Sequence, residues 1–378
     1  MKGNMRFCVP CLFGVEGLVA QELRDMGLEQ VQAENGRVLF SGGWEAMVRA
    51  NLCCRFGERV LLLLGEFPAR SFEELFQGVK ALPWEGLLGK EDVFPVTGSS
   101  LSSQLHSVPD CQAIIKKAIV ERLKAKYKLS WFAESGALHR VRFRILKDQV
   151  SVMVDTSGEG LHKRGYRALS NDAPMKETLA ASLCQLSRLR QDGHLIDPFC
   201  GSGTILIEGA LLARNIAPGL GRAFTAESWG SVPGQLWQQE RERARSLERR
   251  DTGFTAQGFD VDPAAVELTL ANAQKAGVED CITASVRDVR DFTQEGAYGC
   301  VVCNPPYGER LLDVRQAQEL YRALGQVFQP QRGWSLGVIS PDPEFESLFG
   351  RKADKRRKLY NGMIQCQYYQ YFRGSDKR

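Results

Sequence analysis

The run His194–Leu195–Ile196–Asp197–Pro198–Phe199–Cys200–Gly201–Ser202–Gly203–Thr204, leading into Ile205–Ala213, sets a short apolar strand, a glycine-bearing turn and a helix end to end. A strand that stops at an acid and re-enters helix within a few residues needs backbone conformations that glycine adopts freely. It also lets backbone amides come close to a ligand. Downstream, Gly258–Asp260 precedes the helical run Ala264–Lys275, Cys281–Val286 reads as another strand, and Val301–Cys303 as a further apolar one. Strands alternating with helices predict an α/β domain built on a parallel sheet.

The N-terminal part reads differently. Strand Met5–Val9, helix Gly14–Met26, a hairpin at Glu34–Asn35–Gly36–Arg37, helix Gly43–Leu52 and strand Arg59–Leu64 form a small α+β unit. Asn-Gly between apolar strands is a strong hairpin signal. A second α+β unit starts near Ser71 with a helix to Val79, an extended Val93–Thr97, a Gly/Ser loop at Gly98–Ser103 and a long helix from about Asp110 to Tyr127. In His139–Leu146, Val141, Phe143 and Ile145 alternate with Arg140, Arg142 and Arg144, so period two sends three arginines to one face of a strand. At 378 residues the chain has room for about two or three domains. We place them at 1–66, 67–160 and 161–378, with residues 216–250 inserted between helix and strand of the last.

Three sites carry chemistry. The glycine turn is no phosphate loop, because no Lys follows Gly203, and no dinucleotide fingerprint, because Leu206 stands where the third Gly belongs. Asp197 immediately before the turn repels a pyrophosphate but suits a cationic ligand bearing an amino group and a sulfonium, which describes S-adenosylmethionine. Asp260, at a strand end, is placed to accept ribose hydroxyls. Asp262 caps the next helix ahead of Pro263, and Asp288 is in reach of the adenine amine. The third site is Val301–Val302–Cys303–Asn304–Pro305–Pro306–Tyr307–Gly308. Two prolines fix a rigid turn after the strand. The Asn304 side-chain oxygen and the Pro305 carbonyl can accept both hydrogens of an exocyclic base amine, with Tyr307 stacking on the flipped base.

These residues resemble the class I S-adenosylmethionine-dependent methyltransferases that modify base amines. With Leu161–Arg167, Ala173–Ala180 and the strand–loop–helix from Val93 to Tyr127, nearly the whole chain resembles the bacterial THUMP-domain RNA methyltransferases, and among them the enzymes forming N(2)-methylguanosine in 23S ribosomal RNA. The resemblance implies a ferredoxin-like domain, a THUMP domain that grips RNA, and a Rossmann-like catalytic domain. It implies S-adenosylmethionine as cofactor, with Pro174, Lys176, Glu177 and Thr178 over its methionine part and Asp197, Phe199, Gly201, Gly203, Thr204, Asp260, Asp288 and Asn304 completing the site. Catalysis is assigned to Asn304, Pro305, Pro306 and Tyr307.

Charge distribution supports a polyanionic partner. Residues 111–147 hold ten basic and two acidic side chains and residues 351–378 nine and two, although the whole chain carries only +4. Clustered cations gain affinity by displacing counterions from phosphates. Lys116, Lys117, Lys124, Arg140, Arg142, Arg144, Lys163, Arg164 and Arg167 are the expected RNA contacts, with 23S ribosomal RNA or a large-subunit precursor as partner. No metal site, membrane association or obligate protein partner is expected. A single Cys8–Cys11 pair and four scattered histidines do not make a zinc site. Cys200 and Cys303 read as packing residues. Trp229 and Trp237, with Arg222 and Phe224, are either ordinary packing or the wall of a base pocket. The N-terminus lacks a signal-peptide pattern, so a cytoplasmic protein with reduced thiols is expected. A tRNA guanine-N(2) methyltransferase, an adenine-amine methyltransferase and a non-catalytic RNA-binding assembly factor are the alternative readings.

Overall fold

A computed structural model describes residues 4–167, 175–294, 298–307, 314–328 and 332–372. The chain divides into two compact units, Met1–Cys11 with Val19–Leu161 and Ala223–Glu242, and Leu12–Leu18 with His162–Arg222 and Arg243–Arg378.

The first unit runs β1 (Met5–Pro10), α1 (Glu16–Asp25), β2 (Glu29–Glu34), β3 (Arg37–Gly42), α2 (Trp44–Cys53), β4 (Leu61–Pro68), α3 (Phe72–Ala81), β5 (Val96–Leu101), α4 (Val108–Tyr127), β6 (Val141–Leu146) and β7 (Gln149–Asp155). Its strands form one seven-stranded sheet in the order β2-β3-β1-β4-β7-β6-β5. The two α+β segments read from the sequence therefore share a sheet, joined where β4 pairs antiparallel with β7 from Leu61↔Asp155 to Pro68↔Gln149. The β6–β7 hairpin turns through Lys147 and Asp148, whose φ values of 50° and 63° are the left-handed pair that such a tight hairpin requires.

Period two holds along β6: Val141, Phe143 and Ile145 are buried and the alternating arginines lie on the other face. Helices cover the apolar side. Gly78 of α3 packs so closely on Phe67 that a Cβ would lie 2.2 Å from its ring, and Phe67 pairs with Val150 on the same face as Ile145. The Gly/Ser loop expected at Gly98–Ser103 is instead mostly strand β5, parallel to β6. Gly98 is there because its neighbour is Phe143: a Cβ would come within 2.3 Å of the Phe143 carbonyl oxygen.

The second unit contains α5 (Glu177–Leu186), β8 (His194–Asp197), α6 (Thr204–Ala213), β9 (Thr255–Asp260), α8 (Pro263–Ala276), β10 (Ile282–Val286), β11 (Gly299–Cys303), α9 (Val314–Val327), β12 (Trp334–Ser340), α10 (Phe345–Phe349), β13 (Lys355–Asn361) and β14 (Ile364–Phe372), while α7 (Gly234–Ser246) starts in the first unit. The sheet order is β10-β9-β8-β11-β12-β14-β13. The strands β8 to β12 are parallel, and β14 and β13 close one edge antiparallel. As expected, Asp262 caps α8, accepting from Ala264 N, with Pro263 opening the helix.

The expected insertion is split. Residues 223–242 pack within the first unit, where buried Trp229 stacks on His139 with ring centroids 4.4 Å apart and donates to Leu138 O at 2.9 Å. Phe224 and Trp237 stack on each other at 5.2 Å, and Glu240 pairs with Arg49 at 2.8 Å. Arg222 donates to Lys163 O. Trp229, Trp237 and Phe224 are buried and stacked within the first unit, as the packing reading expects.

Candidate active site

In an open parallel sheet, ligands sit outside the carboxyl ends of the strands where the strand order reverses. Here that point lies between β8 and β11, which pair directly, with β9 on the other side of β8. Asp197 ends β8, Asp260 ends β9, and Asn304 follows β11. Three of the residues singled out from sequence thus lie side by side at one sheet edge.

The glycine turn is pinned from two directions. Gly201 and Gly203 take φ values of +51° and +79°. Cys200 N donates to Phe259 O at 2.9 Å, tying the turn to β9, and Gly201 N donates to Asp260 Oδ2 at 3.0 Å. From α8, Thr269 Oγ1 donates to Gly201 O at 2.8 Å and Asn272 Nδ2 to Ser202 O at 3.0 Å. A Cβ on Gly203 would lie 2.8 Å from Thr269 Cγ2, and one on Gly258 would lie 2.6 Å from Leu206 Cδ1. Thr269 and Asn272 were not among the residues expected. Their signal in the sequence is two polar residues three apart on the helix face that also carries Ala265, Val266 and Ala273, all buried.

Electrostatics at this edge favour a cation. Asp197 is 1% exposed, and its Oδ1 accepts from Phe199 N at 3.1 Å. Burial pushes its carboxyl up to about 8, and the nearby Asp260 adds to the rise. Asp260 accepts from Gly201 N and Asp262 N, one bond per oxygen, which leaves lone pairs on both for further donors. Asp288 is more fully employed: it caps the short turn Val289–Asp291 and pairs with Arg290 at 2.9 Å. Phe199 packs against the apolar cluster that contains Phe259 and Val301.

On the amine side, Asn304 Oδ1 is buried with no hydrogen-bond partner among the described residues. A buried acceptor left unpaired costs roughly 1–3 kcal/mol, so its retention asks for a reason. Pro305 is buried and Pro306 half-buried. The Tyr307 hydroxyl accepts from Asn361 Nδ2 at 2.7 Å, and burial raises its pKa, which keeps it a neutral phenol. Lys176 precedes α5, with Glu177 and Thr178 buried in its first turn. Pro174 and Gly308 lie outside the described residues.

The cations expected to meet RNA fall into separate groups. Arg164 is buried and pairs with buried Glu208 at 3.3 Å, while Tyr166 donates to the same carboxylate at 3.1 Å. Arg167 donates to Met175 O and Thr204 Oγ1 at 3.0 and 2.6 Å. Arg164 is interior and Arg167 half-buried, and two carboxylates downstream, Glu208 and Glu177, pair with them. Arg142 joins Arg59 on fully buried Asp155, and Lys116 pairs with Glu134 at 2.7 Å over the Phe94 ring. Lys117 and Lys163 are exposed, and Lys124 is half-exposed beside Glu121. Arg140 and Arg144 have no carboxylate partner among the described residues. Lys116, Lys117 and Lys124 belong to α4 on the helical side of the sheet, whereas Arg140 and Arg144 project from its other face.

Acids and an amide gathered at one edge of a parallel sheet, beside its reversal point, define the second unit as a Rossmann-like domain of the class I methyltransferase type. Residues 164–370 match the family profile described as "RMKL-like, methyltransferase domain", residues 6–61 the "RlmL ferredoxin-like domain" and residues 69–155 the "THUMP domain". The chain belongs to the RMKL-like methyltransferase family, with ferredoxin-like, THUMP and methyltransferase domains in that order. It is 44% identical to "Putative RNA methyltransferase YpsC" of Bacillus subtilis (strain 168), covering 95% of this chain and 94% of that one. It is 35% identical to "Ribosomal RNA large subunit methyltransferase K/L" of Psychromonas ingrahamii over 99% of its own length but spans only 51% of that relative. The solved structure described as "Crystal structure of SMU.472, a putative methyltransferase complexed with SAH" is 42% identical and superposes with a TM-score of 0.93, covering 100% of each chain. Among the described residues no helix is long and apolar enough to cross a membrane.

The buried Arg164–Glu208 pair makes a stability prediction. Glu208→Ala leaves a guanidinium uncompensated in the interior and should cost about 3–5 kcal/mol in denaturant unfolding. Arg164→Met combined with Glu208→Leu should recover much of that loss, because neither charge of this pair then remains buried without the other.

Proposed function

We propose that this protein transfers a methyl group from S-adenosylmethionine to the exocyclic 2-amino group of a guanosine in 23S ribosomal RNA, giving N(2)-methylguanosine. The observation that carries the reading is the unpaired Asn304 Oδ1 at the carboxyl end of β11, next to the strand ends that hold Asp197 and Asp260. When bound, S-adenosylmethionine supplies an electrophilic methyl on a sulfonium. The site fits that group: closely approaching glycines make a cradle that side chains would fill, Asp260 keeps acceptors for ribose hydroxyls, and buried Asp197 gains a counter-charge.

The chain's own residues then have a defined task. A base amine is a poor nucleophile because its lone pair is delocalised into the ring. Asn304 Oδ1 and the Pro305 carbonyl accept its two hydrogens, which localises the lone pair and aims it at the methyl. The Pro305–Pro306 turn offers no competing donors. Tyr307, its hydroxyl fixed by Asn361, presents a ring against which the flipped base stacks. This is catalysis by orientation and preorganised dipoles, and the proton leaves once the methyl has transferred. The relatives' names supply the support for RNA, and for the large ribosomal subunit in particular.

Labelled methyl transfer to ribosomal RNA and tRNA from cells lacking the protein, followed by nucleoside mass identification, tests the reading. N(2)-methylguanosine in the large ribosomal RNA is the expected product. Label on adenine or in tRNA replaces the target, and no transfer alongside cofactor binding favours a non-catalytic RNA-binding role. Asn304→Ala should lower turnover by about 100- to 1,000-fold while cofactor affinity stays within a few-fold.

Asp197 predicts a pH dependence. Its carboxyl is held near 8, so a cationic ligand that needs the carboxylate must first displace a proton at lower pH. Cofactor affinity measured by calorimetry should therefore rise between pH 6 and 8, by up to about tenfold per unit, and level off above. In Asp197→Asn it should be weaker and flat.

For RNA, Arg140 and Arg144 are the cations to remove. Their double alanine variant should weaken binding and reduce the slope of log affinity against log salt by about 1.4, near 0.7 per lost phosphate contact on single strands. An unchanged slope would assign the grip to other cations.

A further inference from the structure

Arg167 occupies a place that helix electrostatics disfavour. Its guanidinium lies at the start of two helices, donating to Thr204 Oγ1 in the first turn of α6 at 2.6 Å and sitting 3.6 Å from Glu177 Oε1 in the first turn of α5. Helix N-termini carry partial positive charge and attract anions. The same terminal nitrogen also donates to Met175 O at 3.0 Å, and Nε is buried with no partner among the described residues. A serine or aspartate would satisfy these helix starts at lower cost. A local rule broken in this way beside a site is more often functional than structural.

The surroundings show what the arginine does there. Arg164 and Glu208 already match each other's charge, with Tyr166 on the same carboxylate. That leaves Arg167 facing Glu177, which is 3% exposed and whose carboxyl is raised by burial but drawn back down by this guanidinium. Thr204 follows Gly203 directly, so the side chain that meets Glu177 also grips the end of the glycine turn.

We propose that Arg167 is a positioning residue for the cofactor site: by bridging Met175 O, Thr204 Oγ1 and the Glu177 carboxylate it joins the starts of α5 and α6 into one seat for the zwitterionic amino-acid end of S-adenosylmethionine. The inference rests on the proposed function and adds to it a residue first read as an RNA contact. Arg167 acts through Glu177 and Thr204 rather than by touching the reacting atoms. The charges of the cluster formed by Arg164, Arg167, Glu177 and Glu208 cancel, which suits a ligand end that is itself neutral overall.

The test compares two ligands on the full chain. S-adenosylhomocysteine carries the amino-acid end, and 5′-methylthioadenosine lacks it while keeping the nucleoside and the sulfur. In Arg167→Gln, calorimetry should show S-adenosylhomocysteine binding weakened about 10- to 100-fold, with methylthioadenosine affinity as in the unaltered protein. Steady-state assays should place the defect in KM for S-adenosylmethionine, leaving kcat at saturation within about threefold. Arg167→Lys, which keeps the charge near Glu177 but on a shorter side chain that holds its nitrogen back from the acceptors Nη2 meets, should fall between. Equal weakening of both ligands would reveal a general structural role and overturn the proposal, as would unchanged binding of both. Failure of the unaltered protein to bind either ligand would instead overturn the reading of the whole site, an outcome visible before any variant is made.

Discussion

A hydrogen bond between backbone atoms, Cys200 N to Phe259 O, ties the turn after β8 to the next strand of the sheet, and the chemistry at the sheet edge is arranged around it. With the turn held there, Gly201 N meets Asp260, the hydroxyl of Thr269 and the amide of Asn272 take the two carbonyls that the turn leaves open, and Asp197 is enclosed. Enclosure gives the acid its altered ionisation. A carboxyl at a strand end in water is a spectator, while one sealed behind a glycine turn is a receptor waiting for positive charge. Glycine is required at 203 on two counts, its left-handed backbone and the 2.8 Å that separates a Cβ there from Thr269.

The amine half depends on a different constraint. β11 is fully buried, so its residues cannot vary in polarity without cost, and the first position at which the chain can offer a polar atom to a substrate is the one after Cys303. Asn304 stands there, and the prolines that follow remove the backbone donors that would otherwise satisfy its oxygen internally. Its unpaired state is thus a product of local sequence as much as of tertiary packing. Tyr307 shows the complementary strategy, in which the hydroxyl is committed to Asn361 and only the ring is left to act.

Much of this was legible in the sequence because it is local. Strand-end acids, the Asp262 cap, the Asn-Gly hairpin and the alternation along β6 each follow from a few adjacent residues. What was not legible depends on partners far along the chain. Arg164 and Arg167 look like surface cations in a basic stretch, and only the fold brings Glu208 and Glu177 against them. Gly98 among serines imitates a loop until Phe143, 45 residues later, explains the missing side chain. The union of two α+β segments into one sheet follows from β4 pairing with β7, a contact that no local pattern announces. Thr269 and Asn272 are ordinary helix residues until the turn they hold is known.

Residues 223–242 fall between α6 and α8 in sequence and take in most of α7, yet pack within the first unit, and Leu12–Leu18 make the reverse exchange. The polypeptide passes from one unit to the other five times. Neither unit is therefore one continuous stretch of chain that a gene fusion could borrow whole. During synthesis the first unit must wait for Trp229 and Trp237 to leave the ribosome before its core is complete. Its final assembly therefore waits on a segment that follows the start of the second unit in the chain.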